Sequence, residues 1–212
     1  AMEHAVTPKL LDYFHARGKR FGLPVAGTFE LTARCNFNCK MCYVHLTEAE
    51  QRQRGRELTA QEWIALGEAA KRAGTVFLLL TGGEPFLRPD LPEIYLGLTK
   101  MGLSVSINSN GTLIDDSFAD EIREVGNFYP AFSIEGYEEE NDFRRGAGTF
   151  QKCTAAMKRL KDRGVPFGAS LCYTSKNTDV LASDEYMDWL IDQGVKFAWF
   201  FTYMLSLIHI SE

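Results

Sequence analysis

Glycine residues stand at regular positions along this chain, each between a helix-like segment and a strand-like segment. They are Gly74, Gly102, Gly126, Gly164 and Gly194. Glycine is favoured just after the last residue of a helix because it adopts the left-handed conformation at little cost. Helices that repeatedly end this way before a strand indicate β-then-α units, which form a parallel sheet with right-handed crossovers. The chain is therefore predicted to be an α/β protein.

The predicted elements follow an N-terminal helical extension over residues 1–24, whose helix is expected to begin near Thr7 and Pro8. Strands are predicted near 28–33, 75–81, 103–108, 129–134, 166–173 and 195–202, and helices near 59–73, 90–101, 115–125, 149–163 and 183–193. A chain of 212 residues is long enough for one large core domain of this kind.

Polar residues alternate with apolar ones in several predicted strands. The polar sets are Thr28, Glu30 and Thr32; Ser104, Ser106 and Asn108; Ser133 and Glu135; and Ser170, Cys172 and Thr174. A flat parallel sheet covered by helices on both sides is apolar on both faces. One polar face instead indicates a lumen wide enough for a ligand, so a partial (β/α)6 TIM-type barrel with parallel strands is predicted. The alternatives are an open doubly wound sheet and small polar residues that only fill gaps in the core.

Cys35, Cys39 and Cys42 follow the first predicted strand directly, with the spacing C-x3-C-x2-C. In barrels of this kind, active sites are built from the loops that follow the strands. An odd total of five cysteines cannot form a complete disulfide set, and a cluster of three is more typical of metal ligands in a reducing cytoplasm. Zinc would need a further ligand such as His45, at a spacing unlike the common zinc modules. An iron–sulfur cluster with three cysteine ligands leaves one iron open to a small molecule.

The segment CNFNCKMC resembles the signature of the radical S-adenosylmethionine (radical SAM) superfamily. Further segments resemble motifs of that family in the expected order: TGGEPFLRPDL at 81–91, INSNGTLID at 107–115, FSIEG at 132–136 and FRRGAGTFQK at 143–152. They are similar to the branch that includes MoaA-like and SPASM-containing peptide-modifying enzymes. The resemblance covers roughly residues 25–203, so the core barrel is assigned to residues 25–204.

The resemblance implies roles for individual residues. Cys35, Cys39 and Cys42 would bind a [4Fe–4S] cluster, whose open iron is chelated by the methionine moiety of S-adenosyl-L-methionine. The other implied cofactor-binding residues are Tyr43 near the adenine; Gly82, Gly83, Glu84 and Pro85 around the amino group; Asn108 and Ser133 near the ribose or methionine moiety; Arg144 or Arg145 for the carboxylate; and Thr174. Further candidates are Asn177 and Glu135, whereas Cys153 and Cys172 are predicted to be packing residues.

The resemblance also implies the reaction and its partners. A reduced cluster cleaves S-adenosyl-L-methionine to methionine and a 5′-deoxyadenosyl radical, which abstracts hydrogen from a substrate, expected to be a peptide or protein. A flavodoxin or ferredoxin would supply the electron to this cytoplasmic enzyme. The net charge of −5 argues against a nucleic-acid partner. No apolar run reaches the roughly 18 residues needed to span a membrane.

Two other functions remain open at the level of sequence. One is a non-catalytic iron–sulfur electron carrier or inactive fragment, and the other is a zinc-stabilised binding module. A carrier has no need of the amino-group receptor that Glu84 would provide. Residues 205–212, LSLIHISE, do not resemble the continuation of the family and are predicted to be a non-native or truncated tail. No cysteine follows Cys172, so no auxiliary cluster is expected here, and a truncated barrel would expose an apolar edge strand.

Overall fold

Six parallel strands form the centre of the molecule, in the computed structural model that describes residues 10–40, 42, 44, 46, 50, 53 and 55–202. The strands are β1 (Ala26–Thr32), β2 (Phe77–Gly82), β3 (Ser104–Ser109), β4 (Phe128–Ser133), β5 (Phe167–Tyr173) and β6 (Val195–Thr202). Each strand pairs with the next one along the chain, and every pair is parallel. This sequential order is that of a partial (β/α)6 barrel, so the predicted fold class is confirmed.

Helices connect the strands. They are α1 (Leu10–Phe21), α2 (Ala60–Ala73), α3 (Leu91–Lys100), α4 (Asp116–Val125), α5 (Glu138–Arg145), α6 (Thr149–Asp162), α7 (Thr178–Leu181) and α8 (Asp184–Gln193), with a 3-10 turn at Pro85–Leu87. Gly74 and Gly194 follow α2 and α8 with φ angles of 111° and 101°, in the left-handed region that only glycine adopts easily. The local signal that predicts the β/α repeat is therefore present in the structure.

Helix α5 is absent from the sequence-based prediction. Its segment, EEENDFRR, contains a single apolar residue, Phe143, and so has no apolar stripe to indicate a helix. The charges nevertheless suit a helix, because glutamates occupy its first turn and arginines its last turn, where each complements the helix dipole. This asymmetry of charge is the signal that could have identified it.

The strands alternate between a face packed against the helices and a face on the barrel lumen. The helix-facing side chains form the core and include Leu78, Leu80, Val105, Ile107, Phe132, Phe167 and Leu171. On the lumen side, Thr28, Leu79 and Ser106 lie in register on adjacent strands. Thr28 is exposed and the other two are half-buried. The lumen face is thus only partly packed, and β2, although apolar along most of its length, alternates in burial like its neighbours.

Helix α1 packs at the end of the sheet where the strands begin. The ring of Phe14 meets that of Phe77, at the start of β2, edge to face at 5.8 Å between centroids. The predicted N-terminal helix is therefore present. Its expected start at Thr7 and Pro8, and the predicted tail at 205–212, lie outside the described residues.

Strand β6 forms one edge of the sheet and is apolar, as predicted. Its side chains Phe200 and Phe201 are 50% and 44% exposed. Within the described part of the chain, no helix combines the length and apolar character that crossing a membrane requires.

Candidate active site

The three clustered cysteines lie in the loop directly after β1, at the end of the barrel where the strands finish. All of them are free thiols, and Cys42 is exposed whereas Cys35 and Cys39 are half-buried. The loop is folded by local hydrogen bonds: Phe37 N donates to Cys35 Sγ at 3.4 Å, and Cys42 N donates to the Cys39 carbonyl at 3.1 Å. Among the described residues, no three Cys, His, Asp or Glu side chains are already close enough together to hold a metal ion.

The predicted glycine turn, Gly82–Gly83, is hydrogen-bonded to the start of the cysteine loop. Gly83 N donates to the Thr32 carbonyl and Glu84 N donates to the Arg34 carbonyl, both at 2.7 Å. A Cβ atom on either glycine would lie only 2.2 Å from one of those carbonyl oxygens. Glycine is therefore required here because the two backbones approach each other so closely.

Glu84 is buried between this turn and the end of β3. Its side chain accepts hydrogen bonds from Phe86 N at 3.1 Å, Ser109 Oγ at 3.0 Å and Asn110 N at 2.8 Å. Ser109 and Asn110 are partners of Glu84 that sequence reasoning missed, although they belong to the segment at 107–115. A carboxylate offers about four acceptor positions, so these donors leave capacity for one more. Glu84 thus fastens the glycine turn to β3 and can still accept a bond from a ligand.

Burial raises the pKa of Glu84 to about 6, against an ordinary value of 4.5, despite the hydrogen bonds that favour the carboxylate. The folded protein therefore binds this proton more tightly than the unfolded chain. We expect this contribution to stability to be complete below pH 4.5 and to be lost as the pH rises through about 6. Carbon NMR titration of the side-chain carboxyl, in protein without iron, measures the midpoint. A midpoint at or below 4.5 would contradict the prediction.

The end of β3 carries a second group of polar side chains. Asn110 Nδ2 donates to Asn36 Oδ1 at 2.8 Å, and Asn36 Nδ2 donates to Thr112 Oγ1 at 2.9 Å, which links this strand end to the cysteine loop. Asn108, a predicted cofactor-binding residue, points its Oδ1 atom into a buried position where it has no hydrogen-bond partner among the described residues. Buried polar atoms are almost always paired, so this oxygen is suited to a donor group on a ligand.

The two predicted carboxylate-binding arginines instead bind a carboxylate of the chain itself. Glu135 Oε2 accepts from Arg144 Nη1 at 2.7 Å, and Glu135 Oε1 accepts from Arg145 Nη2 at 2.5 Å. Glu135 Oε2 also accepts from Cys172 N at 3.1 Å, and the residue is fully buried. The expectation that Glu135 faces substrate or cofactor is therefore wrong, because its carboxylate is engaged by protein donors. This pairing could not be predicted from the sequence. Two adjacent arginines give no indication of whether a carboxylate lies beside them in the folded protein.

Helix α5 also holds the cysteine loop. Lys40 N, within the loop, donates to the Arg144 carbonyl at 3.1 Å. Burial raises the pKa of the Cys39 thiol, and the nearby Arg145 guanidinium partly offsets this effect by favouring the thiolate. Burial also raises the pKa of Cys35, and the Glu84 charge adds to the increase. The loop is thus anchored to two neighbouring strand ends, through the glycine turn and through α5.

The remaining predicted residues lie at the same end of the barrel or outside the described part. Ser133 is half-buried at the end of β4, and Pro85 is buried at the start of the 3-10 turn. Thr174 Oγ1 donates to Asn177 Oδ1 at 2.9 Å, and Asn177 Nδ2 donates to the Glu135 carbonyl at 3.0 Å, so this pair shapes the loop after β5.

Two other predicted residues, Tyr43 and His45, are outside the described residues. Buried Cys153 is a packing residue, as predicted, with a pKa raised by burial to about 12.

A further network, which sequence reasoning missed, fixes the end of β1. The buried Arg88 side chain donates to the Leu31 carbonyl at 2.9 Å and to the Leu58 carbonyl at 2.8 Å, and it pairs with Asp90 at 2.7 Å. Glu57 pairs with Arg34 at 2.8 Å beside it. These contacts set the position from which the cysteine loop leaves the sheet.

The residues present fit the cluster and cofactor that the resemblance implies. Three free thiols in one loop form a donor set that suits iron–sulfur chemistry. The unpartnered Asn108 Oδ1 and the remaining acceptor position of Glu84 are hydrogen-bond acceptors at adjacent strand ends. Such acceptors complement the amino and hydroxyl donors of S-adenosyl-L-methionine.

Sequence comparisons identify the family of this chain and several of its relatives. The profile of the Radical SAM superfamily matches residues 29–182. Fe-coproporphyrin III synthase of Methanosarcina barkeri (strain Fusaro / DSM 804) is 33% identical over 150 residues, covering 70% of this chain and 37% of that protein. The sporulation killing factor maturation protein SkfB of Bacillus subtilis (strain 168) is 28% identical over 178 residues, covering 82% of this chain and 42% of that protein. The chain thus spans less than half the length of these relatives.

Structure comparisons match the barrel to SuiB of Streptococcus suis. The TM-score is 0.74 at 18% identity, covering 92% of this chain and 44% of SuiB. SuiB bound to S-adenosylmethionine matches at 0.72 and 17% identity, covering 91% of this chain and 43% of that chain. SuiB bound to the precursor peptide SuiA matches at 0.73 and 19% identity, with the same two coverages, 91% and 43%. At these identities the likeness establishes the fold.

Proposed function

Because this chain belongs to the radical SAM superfamily, whose members use a [4Fe–4S] cluster and S-adenosyl-L-methionine, we propose that it is the core of a radical SAM enzyme in which Cys35, Cys39 and Cys42 hold the cluster. The observation that carries the proposal is the connection of these free thiols to the Gly82–Gly83 turn at the open end of the barrel. When bound, the cluster and cofactor supply one-electron cleavage of a carbon–sulfur bond and a radical that abstracts hydrogen.

The chain's own residues bind and orient the cofactor in this proposal. Glu84 accepts a hydrogen bond from the amino group at its remaining acceptor position, beside the Gly82 and Gly83 backbone. Asn108 Oδ1 accepts a bond from the ribose or methionine moiety, and Ser133 and Thr174 line the same end. Tyr43 is proposed to contact the adenine. Glu84 is buried and the strand-end residues around it are half-buried, which limits water near the cofactor and keeps a reactive species from quenching on solvent.

The arginines also organise the site through contacts within the chain, and their predicted role toward the cofactor carboxylate stays a prediction. Arg144 and Arg145 share the Glu135 carboxylate, and Arg144 holds the cysteine loop through its carbonyl. In this proposal they position the loop and place positive charge beside Cys39. This charge stabilises the thiolates and an anionic ligand bound next to them.

A peptide or protein is the substrate that we propose. Support comes from the fold shared with SuiB, which is solved with its precursor peptide, and from the likeness to SkfB. A porphyrin-type tetrapyrrole is the second candidate, favoured by the 33% identity to Fe-coproporphyrin III synthase. Formation of 5′-deoxyadenosine above the substrate-free background, with a panel of iron tetrapyrroles or with a precursor-peptide library, distinguishes the two. Stimulation by a tetrapyrrole alone would reject the peptide assignment.

The proposed electron donor is a flavodoxin or ferredoxin, and the proposed compartment is the cytoplasm. All five cysteines are free, which agrees with a reducing environment. Oxygen-sensitive iron–sulfur chemistry and a protein donor both belong in that compartment.

Electron paramagnetic resonance tests the proposed function directly. The protein is reconstituted anaerobically with iron and sulfide, reduced with dithionite, and measured before and after addition of S-adenosyl-L-methionine. We expect a [4Fe–4S]⁺ signal that changes on addition, because the cofactor binds the open iron. An unchanged cluster signal would favour a simple electron carrier. Tight zinc binding without any cluster would favour the binding module.

A further inference from the structure

The outer rim of the cysteine loop carries an exposed basic and aromatic surface. Lys40 Nζ lies 3.8 Å from the centre of the Phe143 ring, and Lys176 Nζ lies 5.1 Å from the same centre. The three residues come from the cysteine loop, helix α5 and the loop after β5, and Phe143 is 51% exposed. We name Lys40, Phe143 and Lys176 the rim patch, and we propose that it is the docking surface for an acidic electron-donor protein.

The positive charge of the rim patch is available to a partner. Among the described residues, neither Lys40 nor Lys176 forms an ion pair with a carboxylate. The carboxylate next to Phe143 belongs to Asp142, which is turned away to accept from Gly148 N at 2.5 Å and Phe150 N at 2.8 Å, at the start of α6. Both lysines are exposed, so their charges face solvent.

The position of the rim patch fits electron transfer. Lys40 directly follows Cys39 in the loop, and Cys42 is exposed, so a cluster held by these thiols would lie close to the rim patch. The lumen side of the same site is the side that cofactor and substrate require. The outer rim is consequently the face through which a donor can approach closely while the lumen is filled, and electron transfer slows steeply with distance.

The charge and composition of the rim patch select the type of partner. The chain carries a net charge of −5 and as a whole repels an acidic protein. The two exposed lysines place positive charge at the cysteine loop, which attracts an acidic donor to that point. An exposed aromatic ring between the charges supplies apolar contact area, and redox partners associate through small interfaces of this kind.

The rate of cluster reduction tests the docking surface, which rests on the proposed function. The reconstituted protein is mixed with a bacterial flavodoxin in its hydroquinone form, and separately with dithionite, while cluster absorbance is followed by stopped flow. We expect Lys176→Glu to slow reduction by flavodoxin about 5- to 10-fold at low ionic strength and to weaken its salt dependence. Reduction by dithionite should be unchanged. Phe143→Ala should also slow flavodoxin, through lost contact area.

Lys196→Glu is the matched control, because Lys196 is exposed at the start of β6, at the opposite end of the barrel. It changes the net charge equally but should leave both rates unchanged. Equal flavodoxin rates for Lys176→Glu and Lys196→Glu would overturn the docking surface and indicate another occupant, such as a second copy of the chain. An equal slowing by dithionite would overturn it as well. A wild-type protein without any cluster would instead reject the proposed function.

Discussion

Replacing Cys39 by alanine is expected to abolish both the brown absorbance of the cluster and the cleavage of S-adenosyl-L-methionine. The cluster has three protein ligands in this proposal, so the loss of one opens a second iron and removes the geometry of the site. Anaerobic reconstitution followed by iron and sulfide analysis measures the effect on binding. Product analysis for 5′-deoxyadenosine measures the effect on turnover.

The matched control is Cys172→Ala. Cys172 is also half-buried at this end of the barrel, but it joins the Glu135 network mainly through its backbone N–H and carbonyl groups, which alanine retains. This variant should keep its cluster. A full cluster in Cys39→Ala, or the same loss in both variants, would show that the clustered thiols are not the ligands.

Replacing Glu135 by alanine is the substitution with the largest expected cost in folding stability. It removes the carboxylate that Arg144 and Arg145 both bind in a buried setting, and breaking such a pair by deleting one partner typically costs about 3–5 kcal/mol. The backbone N–H of Cys172 also loses its acceptor. Because Arg144 holds Lys40 in the cysteine loop, we also expect poorer cluster retention in whatever protein folds.

Urea unfolding of the protein without iron measures the stability loss, and Glu139→Ala provides the control. Glu139 is an exposed residue in the first turn of α5, so its removal should change the free energy of unfolding by no more than about 0.5 kcal/mol. Glu135→Gln is a milder variant that keeps the shape and one acceptor oxygen. Equal unfolding free energies for Glu135→Ala and Glu139→Ala would contradict the structural role assigned to the buried ion pair.

The α/β repeat and the cysteine loop could be predicted from the sequence because their signals are local. A glycine after each helix, alternation within each strand and the spacing of Cys35, Cys39 and Cys42 are all read within a few residues. Helix α5 escaped prediction because its only regular feature is charge, which is a weaker signal than an apolar stripe.

The partners of the buried charges could not be predicted in the same way. Glu84 binds Ser109 and Asn110, and Glu135 binds the Cys172 N–H, across tens of residues of sequence. A glutamate, an arginine pair or an asparagine has the same appearance in sequence whether it faces solvent, a ligand or another buried side chain. Which of these applies depends on burial and on the strands that the barrel brings side by side.

The sequence by itself therefore determined the class of fold, the family likeness and the three thiols, because covalent spacing and local conformational preference suffice for these. Only the tertiary structure decided that Glu84 fastens the glycine turn to β3, that Glu135 occupies both arginines, and that Lys40, Phe143 and Lys176 meet at the rim. The physical reason is that desolvation and pairing energies depend on neighbours in space. Those neighbours exist only once the strands have assembled.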